Sequence, residues 1–486
     1  MRFRGWQLGG LALGTAGILS VAGCVALALI SARFPYGTDA LVRPVVPLVA
    51  LMMTMGLVYM CAAAVVTRTP FRGAALAWMI AIGLAMRAVL MTSTPILEDD
   101  YYRYLWDGGV TAHGINPYEH APADIRFPPV DRPEISDVLQ ELAADSGTVI
   151  ARVNHPKLTT VYPPVAQVAF AIAHWIEPWS HGALRGVFFG FDLATFLLLL
   201  IVLKRIGRPL QYAAIYWWNP IVVMEFMNAA HMDAIVLPFV MLAVLFAIQT
   251  RPLRMTTALV LGIASKLWPI LLAPLLFRRL GATRQRYIAA AALGAVLLGA
   301  LFAVPLAATL QRGEDSGLIQ YVERWEMNDA LFMIVHKTAQ IGSGVLGFES
   351  RGPHADVAAR ILVLLLLLAW TVYHARKLDG DPLNLCNRLV LVMGAFFLLS
   401  PTQFPWYYTW LVPFLALAPR RSLLLLTVML PMYYLKFYYS ARDDMLFFHN
   451  RIVWIEYAPV FCLILWEWYS SRRNQLRSNF TPTGAA

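Results

Sequence analysis

Residues 45–66 read VVPLVALMMTMGLVYMCAAAVV, an apolar run without a charged residue, and Arg68 follows it closely. About 20 consecutive apolar residues are enough to cross the hydrocarbon core of a bilayer as an α-helix. Basic residues collect at the cytoplasmic ends of such helices, so Arg68 is predicted to mark the inner end of this one. The stretch therefore predicts a membrane-spanning helix.

The composition extends this interpretation to the whole chain of 486 residues. Hydrophobic residues make up 59% of it and charged residues 14%, whereas about a quarter of a soluble domain is charged. The net charge of +10 does not indicate a nucleic-acid partner, because the basic residues stand in short clusters between apolar runs. The chain is therefore predicted to be an all-α polytopic membrane protein with about 12–14 transmembrane helices.

The apolar runs alternate between basic clusters that we place in the cytoplasm. The predicted spans fall near residues 8–30, 45–66, 74–92, 184–203, 209–227, 232–250, 287–307, 357–375, 386–400, 405–419, 421–439 and 452–470. They predict N-terminal transmembrane helices (1–92), an outer loop with an acidic motif and a juxtamembrane helix (93–183), core transmembrane helices (184–307), a second outer loop (308–356), C-terminal transmembrane helices (357–471) and a cytoplasmic tail (472–486).

Two segments do not fit simple alternation. The run 255–277 has basic residues at both ends, so we expect two half-helices that meet at Ser265–Pro269. Broken helices at membrane depth are tolerated where they are buried in protein or line a cavity. The segment 161–177 begins with Tyr162-Pro163-Pro164 and is predicted to be a helix packed at the outer membrane face.

An acidic motif opens the first outer loop, where Glu98, Asp99 and Asp100 follow a predicted span directly. Asp99 or Asp100 can begin a new helix and Gly114 can end it. On that helix Asp100, Tyr104 and Asp107 share a face, with Arg103 beside them. Consecutive carboxylates raise one another's pKa, which suits a general base. The alternative is a capping motif on an interfacial helix with a belt of aromatic side chains.

Further ionisable residues interrupt the apolar sequence. Glu225, His231 and Asp233 are candidates for a functional site, and the alternative is a polar turn between two helices. His231 and Asp233 could also be metal ligands, although this spacing alone is weak support. Lys266 lies at the break in 255–277 and Arg87 near the end of a span. Either could bind a phosphate, with a carboxylate such as Glu225 holding the Lys266 charge in the empty site; snorkelling is the alternative for Arg87.

Aromatic residues form a proline-broken stretch near the end of the chain, Ser400 to Trp410, which includes Pro405-Trp406-Tyr407. Aromatic faces such as that of Trp406 pack well against sugar rings. An interfacial aromatic belt is the alternative.

Together these motifs resemble the GT-C superfamily of membrane glycosyltransferases, specifically polyprenol-phosphate-mannose-dependent mannosyltransferases and glycosyltransferase family 87. The resemblance is carried, in order, by Glu98-Asp99-Asp100, Tyr102 to Gly108, Gly114 to Tyr118, Tyr162-Pro163-Pro164, Asn219-Pro220 with Glu225, His231-Met232-Asp233, Ser265 to Pro269, and Pro405-Trp406-Tyr407. It implies a GT-C-like bundle, a catalytic aspartate at Asp100 or Asp99, a polyprenyl-phosphate-sugar donor and inversion at the anomeric carbon. Here the acidic motif follows the third predicted span rather than the first, which indicates two extra N-terminal helices or a miscounted span.

The sequence thus predicts an enzyme that transfers a hexose, mannose being the expected one, to a glycan or lipid-linked acceptor on the outer face of a bacterial inner membrane. The catalytic candidates are Asp100 and Asp99. The substrate-binding candidates are Glu98, Arg87, Arg103, Tyr104, Asp107, Glu225, His231, Asp233, Lys266 and Trp406. No cofactor is assigned, and Mg²⁺ or Mn²⁺ near Asp233 is the alternative to a cationic side chain. A lipid-linked-sugar flippase or other transporter is the rival function, although transporters commonly show internal repeats and none is evident here.

Overall fold

Helices dominate the computed structural model, which describes residues 2–71, 73–127, 136–280, 283–312, 326–345 and 353–480. In the first half they are α1 (Arg2–Ser31), α2 (Val45–Arg68), α3 (Ala74–Met91), α4 (Tyr101–Ala112), α5 (Pro122–Arg126), α6 (Asp137–Asp145), α7 (Pro164–Ile176), α8 (His181–Arg205), α9 (Ala214–Trp217) and α10 (Pro220–Val223). Within these ranges no strand forms, apart from one isolated bridge between Met327 and Thr402. The predicted all-α polytopic class is confirmed.

The second half continues this helical order. Its helices are α11 (Val236–Ile248), α12 (Pro252–Ile263), α13 (Ala273–Arg279), α14 (Arg284–Arg312), α15 (Ala330–Val345), α16 (Pro353–Arg376), α17 (Pro382–Leu399), α18 (Pro405–Tyr408), α19 (Val412–Leu417), α20 (Arg421–Leu424), α21 (Leu426–Met429), α22 (Leu435–Ser440), α23 (Met445–Phe447) and α24 (Val453–Phe480). Parts of the predicted second outer loop (313–325 and 346–352) and of the predicted tail (481–486) lie outside the described residues.

Eight helical stretches of the described chain are long and apolar enough to cross a membrane. They are Gly9–Ser31, Val45–Arg68, Ala74–Met91, His181–Arg205, Gln285–Gln311, Ala355–Arg376, Pro382–Leu399 and Met445–Arg473. A ninth is formed if the pair Pro220–Asn228 and Met232–Ile248, bent by 115°, counts as one broken span. Three long helices precede the acidic motif, in agreement with the predicted span order. The predicted sidedness of the loops and the division into six regions stay predictions.

Three predicted spans are built from short helical pieces instead of continuous helices. The segment 209–227 consists of a 3-10 turn, α9, α10 and the start of a π-helical turn, Met224–Asn228. The segments 405–419 and 421–439 are likewise divided into α18, α19 and further short helices. Prolines at 209, 220, 405, 413 and 431 remove backbone donors from these runs. Their apolar side chains are buried inside the protein, so an apolar run here indicates core and not lipid contact.

The break predicted in 255–277 is confirmed: α12 ends at Ile263 and a 3-10 turn, Trp268–Leu272, leads into α13. Helix α7 is confirmed as a short apolar helix of 13 residues, too short to span. It packs closely against α4, because Gly108 leaves room: a Cβ there would lie 2.6 Å from the backbone oxygen of Phe170. This contact positions the acidic start of α4.

An ion pair stabilises the core between α3 and α8. Arg87 is fully buried and its guanidinium binds the Asp192 carboxylate. Its Nη1 also donates to the Trp217 carbonyl oxygen over 2.7 Å, and the guanidinium lies 3.4 Å from the Trp217 ring centroid. The Tyr216 hydroxyl donates to Asp192 Oδ1 over 2.6 Å. Every polar atom of this cluster therefore has a protein partner.

We predict that Arg87→Met destabilises the protein by about 3–5 kcal/mol, because it leaves the buried Asp192 carboxylate without its partner. The double variant Arg87→Met/Asp192→Asn should recover much of that loss, since it removes both charges. Thermal unfolding of the detergent-solubilised protein measures both effects. Unchanged unfolding temperatures together with lost donor binding would instead make Arg87 a ligand-binding residue.

Candidate active site

A cavity of about 470 Å³ lies between the start of α4, the 3-10 turn after α12, α16 and the stretch 400–410. Its volume falls in the range of about 300–1,000 Å³ that is usual for ligand sites. The sequence-predicted site residues that line it are Asp100, Tyr104, Lys266 and Trp406. Residues that are more than 130 positions apart in the sequence thus meet at one cavity.

The two catalytic candidates share one amide at the start of α4. Asn154 Nδ2 donates to Asp100 Oδ1 over 2.5 Å and lies 3.2 Å from Asp99 Oδ1. Asp100 occupies the N-cap position, but its side chain makes no capping hydrogen bond. Gly114, with φ +73°, follows the helix end as predicted. Because Asp100 and not Asp99 lines the cavity, Asp100 is the better-placed base.

Burial and the neighbouring carboxylates raise the pKa of Glu98 and of Asp99, and the sequence predicts the effect of the carboxylates. The pKa of Asp99 is raised to about 6, chiefly by burial and then by the charges of Asp100 and Glu98, while the hydrogen bond from Asn154 opposes the shift. Burial also raises the pKa of Glu98, against the attraction of Lys436. Glu98 accepts a hydrogen bond from the Tyr433 hydroxyl over 3.2 Å and lies 3.5 Å from Lys436 Nζ. The crowded charge at this position is therefore only partly compensated.

Lys266 is held by Asp233, and not by Glu225 as the sequence suggested. Lys266 Nζ lies 2.7 Å from Asp233 Oδ1, and the Trp410 indole donates to the same oxygen over 2.5 Å. The Lys266 side chain is 18% exposed and that of Asp233 only 1%. The ammonium also lies 4.6 Å from the Tyr407 ring centroid. Lys266 therefore presents a fixed positive charge to the cavity.

Glu225 and His231 lie behind the cavity wall. His231 Nδ1 is 2.8 Å from Glu225 Oε2, and the Tyr434 hydroxyl donates to the same carboxylate. The His231 ring stacks on Trp406 with centroids 4.2 Å apart and planes 13° apart. The pair therefore fixes the orientation of Trp406, which does line the cavity. Sequence spacing could not distinguish this supporting role from direct ligand contact.

The divalent cation considered near Asp233 stays a prediction. Among the described residues, no group of three His, Cys, Asp or Glu side chains is arranged to hold a metal ion. At Asp233, the Lys266 ammonium pairs with Oδ1, whereas Oδ2 is buried without a hydrogen-bond partner. We therefore derive no reaction step through a metal.

Three other predicted residues lie outside the cavity lining. Arg103 donates to the backbone oxygens of His155 and Leu158 over 3.0 and 3.1 Å, which anchors the loop that carries Asn154. Asp107 is buried and accepts a hydrogen bond from Gln167 Nε2 over 3.3 Å, which joins α4 to α7. It was predicted to bind substrate beside Asp100, but it does not line the cavity. Arg87 belongs to the core ion pair described above and does not reach the cavity.

The structure also adds residues that sequence reasoning missed. Asn154 holds the two aspartates, Lys436 faces Glu98, and Arg360 lines the cavity from α16. Lys436 and Arg360 each interrupt an apolar stretch, which is the signal that drew attention to Lys266. Asn154 carries no such signal, because an asparagine in a polar loop is unremarkable in composition.

The chain matches three protein families along most of its length. Residues 160–401 match glycosyltransferase family 87. The chain belongs to glycosyltransferase family 87. Residues 11–148 match the family described as alpha-(1->6)-mannopyranosyltransferase, N-terminal domain, and residues 353–468 match the MptB C-terminal domain. No curated protein and no solved structure matches the chain.

Family 87 membership confirms the resemblance predicted from the motifs. It confirms that the protein is an enzyme, a glycosyltransferase, in place of the rival transporter. The matched families identify a mannosyltransferase at the level of reaction class, in an integral multi-pass membrane protein. The candidate active site is the cavity that Asp100 of the acidic motif and Lys266 line together.

We predict that Asp99→Asn raises the unfolding temperature of the family 87 enzyme at pH 7 and leaves it nearly unchanged at pH 4. The folded pKa of Asp99 is raised to about 6 from 3.8, so the native state holds a proton that the unfolded state releases between those values. The wild-type protein therefore loses stability as the pH rises through 6, and the amide variant does not. Thermal scans across this pH range measure the difference, with Asp137→Asn on exposed α6 as the control. A constant difference at all pH values would contradict this account.

Proposed function

We propose that this family 87 member transfers mannose from a polyprenyl-phosphate donor to a glycan or lipid-linked acceptor, with inversion, on the outer face of a bacterial inner membrane. The observation that supports it is the single cavity in which a carboxylate, an ammonium and an indole meet: Asp100, Lys266 and Trp406. These groups match a base, a phosphate partner and a sugar platform. The proposed membrane side follows from the basic clusters in the sequence.

The cavity wall supports a lipid donor. Leu267, Ile270 and Leu364 line the cavity and are also exposed at the protein surface, by 43, 58 and 64%. Leu364 belongs to α16, one of the helices able to span a membrane. An exposed apolar surface of this kind suits hydrocarbon and not water. It gives a polyprenyl chain a place beside a site that holds its phosphate.

The proposed reaction is one displacement at the anomeric carbon. Asp100 accepts the proton of an acceptor hydroxyl while that oxygen forms a bond to the anomeric carbon. The bond between the anomeric carbon and the phosphate oxygen breaks on the opposite side, and polyprenyl phosphate leaves with the electron pair. Attack from one face and departure from the other inverts the configuration.

A leaving phosphate needs a positive charge nearby more than it needs a proton. Lys266 supplies that charge at the cavity wall, and Arg360 on α16 lines the same space. Asp233 is buried and accepts a hydrogen bond from the Trp410 indole, so it holds the Lys266 ammonium from behind. The side of the ammonium that faces the cavity stays available to a phosphate. The arrangement stabilises charge that develops on the phosphate as the bond breaks.

We expect Asp100→Asn to lower sugar transfer by about 10²–10⁴-fold, because the change is nearly isosteric and removes the basic oxygen. The assay follows radiolabelled mannose from polyprenyl-phosphate-mannose into a glycan acceptor, with Asp137→Asn as the control. Near-normal turnover in folded Asp100→Asn protein would contradict the assignment of Asp100 as the base.

We expect Lys266→Met to weaken donor-lipid binding about 10- to 100-fold, as the loss of one charge-assisted hydrogen bond implies. The same change leaves Asp233 buried and unpaired, so the unfolding temperature should also fall. The double variant Lys266→Met/Asp233→Asn removes both charges and should restore the unfolding temperature without restoring donor affinity. Donor affinity that returns together with stability would show that Lys266 is a structural residue.

A further inference from the structure

A second cavity, of about 420 Å³, lies at the start of α15. Its polar lining consists of Glu326, Asp329, His336, Lys337, Gln340 and His449. None of the residues that line it lines the first cavity, which contains Asp100, Lys266 and Trp406 and is called the donor cavity below. Its volume is again within the usual range for ligand sites, about 300–1,000 Å³. Nothing in the proposed displacement uses it so far.

Asp329 is the residue of this cavity that is best placed to bind a ligand. It is only 1% exposed, and its Oδ2 is buried without a hydrogen-bond partner. A buried carboxylate oxygen without a partner costs free energy, so a ligand that supplies a hydrogen is favoured there. Burial raises the pKa of Asp329 to about 8, with the Glu326 charge adding to the effect. The carboxyl group can therefore donate as well as accept near neutral pH.

The turn before α15 holds Asp329 in place. Asn328 adopts φ +60°, a left-handed conformation that asparagine tolerates better than most residues. Its side-chain amide donates to Glu456 Oε1 over 2.9 Å and to the Gln403 carbonyl oxygen over 3.2 Å. The side chain of Asp329 is therefore presented to the cavity from a rigid turn.

The same turn connects the second cavity to the donor cavity. Met327 N donates to the Pro401 oxygen and Gln403 N donates to the Met327 oxygen, each over 3.0 Å. Pro401 and Thr402 line the donor cavity, whereas Glu326 and Asp329 line the second one. Neighbouring paired segments lie about 4.8 Å apart. The two cavities thus lie on either side of the single backbone bridge between Met327 and Thr402.

The lining selects the chemical class of the ligand. The lining has one lysine, Lys337, against two carboxyl groups, Glu326 and Asp329, which disfavours a phosphate. Met333 is its one apolar residue, which disfavours a lipid chain. The described residues hold no group of three side chains arranged for a metal ion. Carboxyl, imidazole and amide groups such as those of Asp329, His336 and Gln340 are suited to hydroxyl groups, which both donate and accept.

We propose that the second cavity binds a sugar ring of the acceptor glycan, distant from the hydroxyl that reacts, through the carboxyl group of Asp329. The inference rests on the proposed function, because it requires a glycan acceptor whose reacting end lies in the donor cavity. An acceptor of several sugar units would then pass the paired segments at Met327 and Thr402. Affinity for a longer acceptor would come from both cavities.

The test compares kinetics with a single mannoside and with an α-(1->6)-linked mannose oligosaccharide as acceptors. Asp329→Ala should raise the KM for the oligosaccharide about 10-fold, as expected for one lost buried hydrogen bond, and leave the KM for the mannoside and for the donor unchanged. Gln340→Ala, at a half-buried position, should act in the same direction if Asp329→Ala does not fold. Glu141→Ala on exposed α6 is the matched control.

Direct binding separates this inference from the proposed function. Saturation-transfer NMR without donor should show oligosaccharide binding to the wild-type and Lys266→Met proteins and its loss in Asp329→Ala. If the wild-type protein transfers mannose and the Asp329 and Gln340 variants keep a normal oligosaccharide KM and normal oligosaccharide binding, the inference about the second cavity is wrong and the proposed function stands. Loss of Mn²⁺ binding in Asp329→Ala, with oligosaccharide binding intact, would overturn it in favour of a cation. Wild-type protein that binds the oligosaccharide but transfers nothing from polyprenyl-phosphate-mannose would contradict the proposed donor and leave the inference's binding step supported.

Discussion

Lys266 and Asp233 lie 2.7 Å apart in the interior of a bundle built to sit in lipid, where neither charge can be hydrated as it would be in water. Burial of either charge alone would cost free energy, so each residue needs the other at this position. Lys266 stands where α12 breaks, Asp233 where the chain bends by 115° before α11, and the Trp410 indole shares the Asp233 oxygen. Three interruptions of the helical backbone therefore converge on one carboxylate.

Such interruptions need a reason at membrane depth, because backbone groups released from a helix must find partners within the protein or a water-filled cavity. Here the breaks provide the walls of the donor cavity. The acidic start of α4 approaches from the other side, since Gly108 allows α4 to pack on α7 and Arg103 ties down the loop that carries Asn154. A negative and a positive centre thus face one space, as the proposed displacement with its anionic leaving group requires.

Much of this could be predicted from the sequence. Long apolar runs predicted the helices α1 to α3 and α8. Lys266 was identified because it interrupts an apolar run, and a buried charge is rare without a partner or a ligand. The run 405–419 was misread as a span, because an apolar composition describes a buried protein core as well as a lipid-facing helix. Pairings over long sequence distances, Arg87 with Asp192 above all, leave no local pattern and required the fold.

The most direct measurement of the central claim is an experimental structure with a non-hydrolysable polyprenyl-phosphonate mannose analogue. The account predicts that a phosphonate oxygen lies within hydrogen-bonding distance of Lys266 Nζ, with the sugar against Trp406 and the anomeric carbon facing Asp100. The lipid chain should leave past Leu267 and Leu364. An analogue bound elsewhere, with Lys266 still paired only with Asp233, would contradict the account.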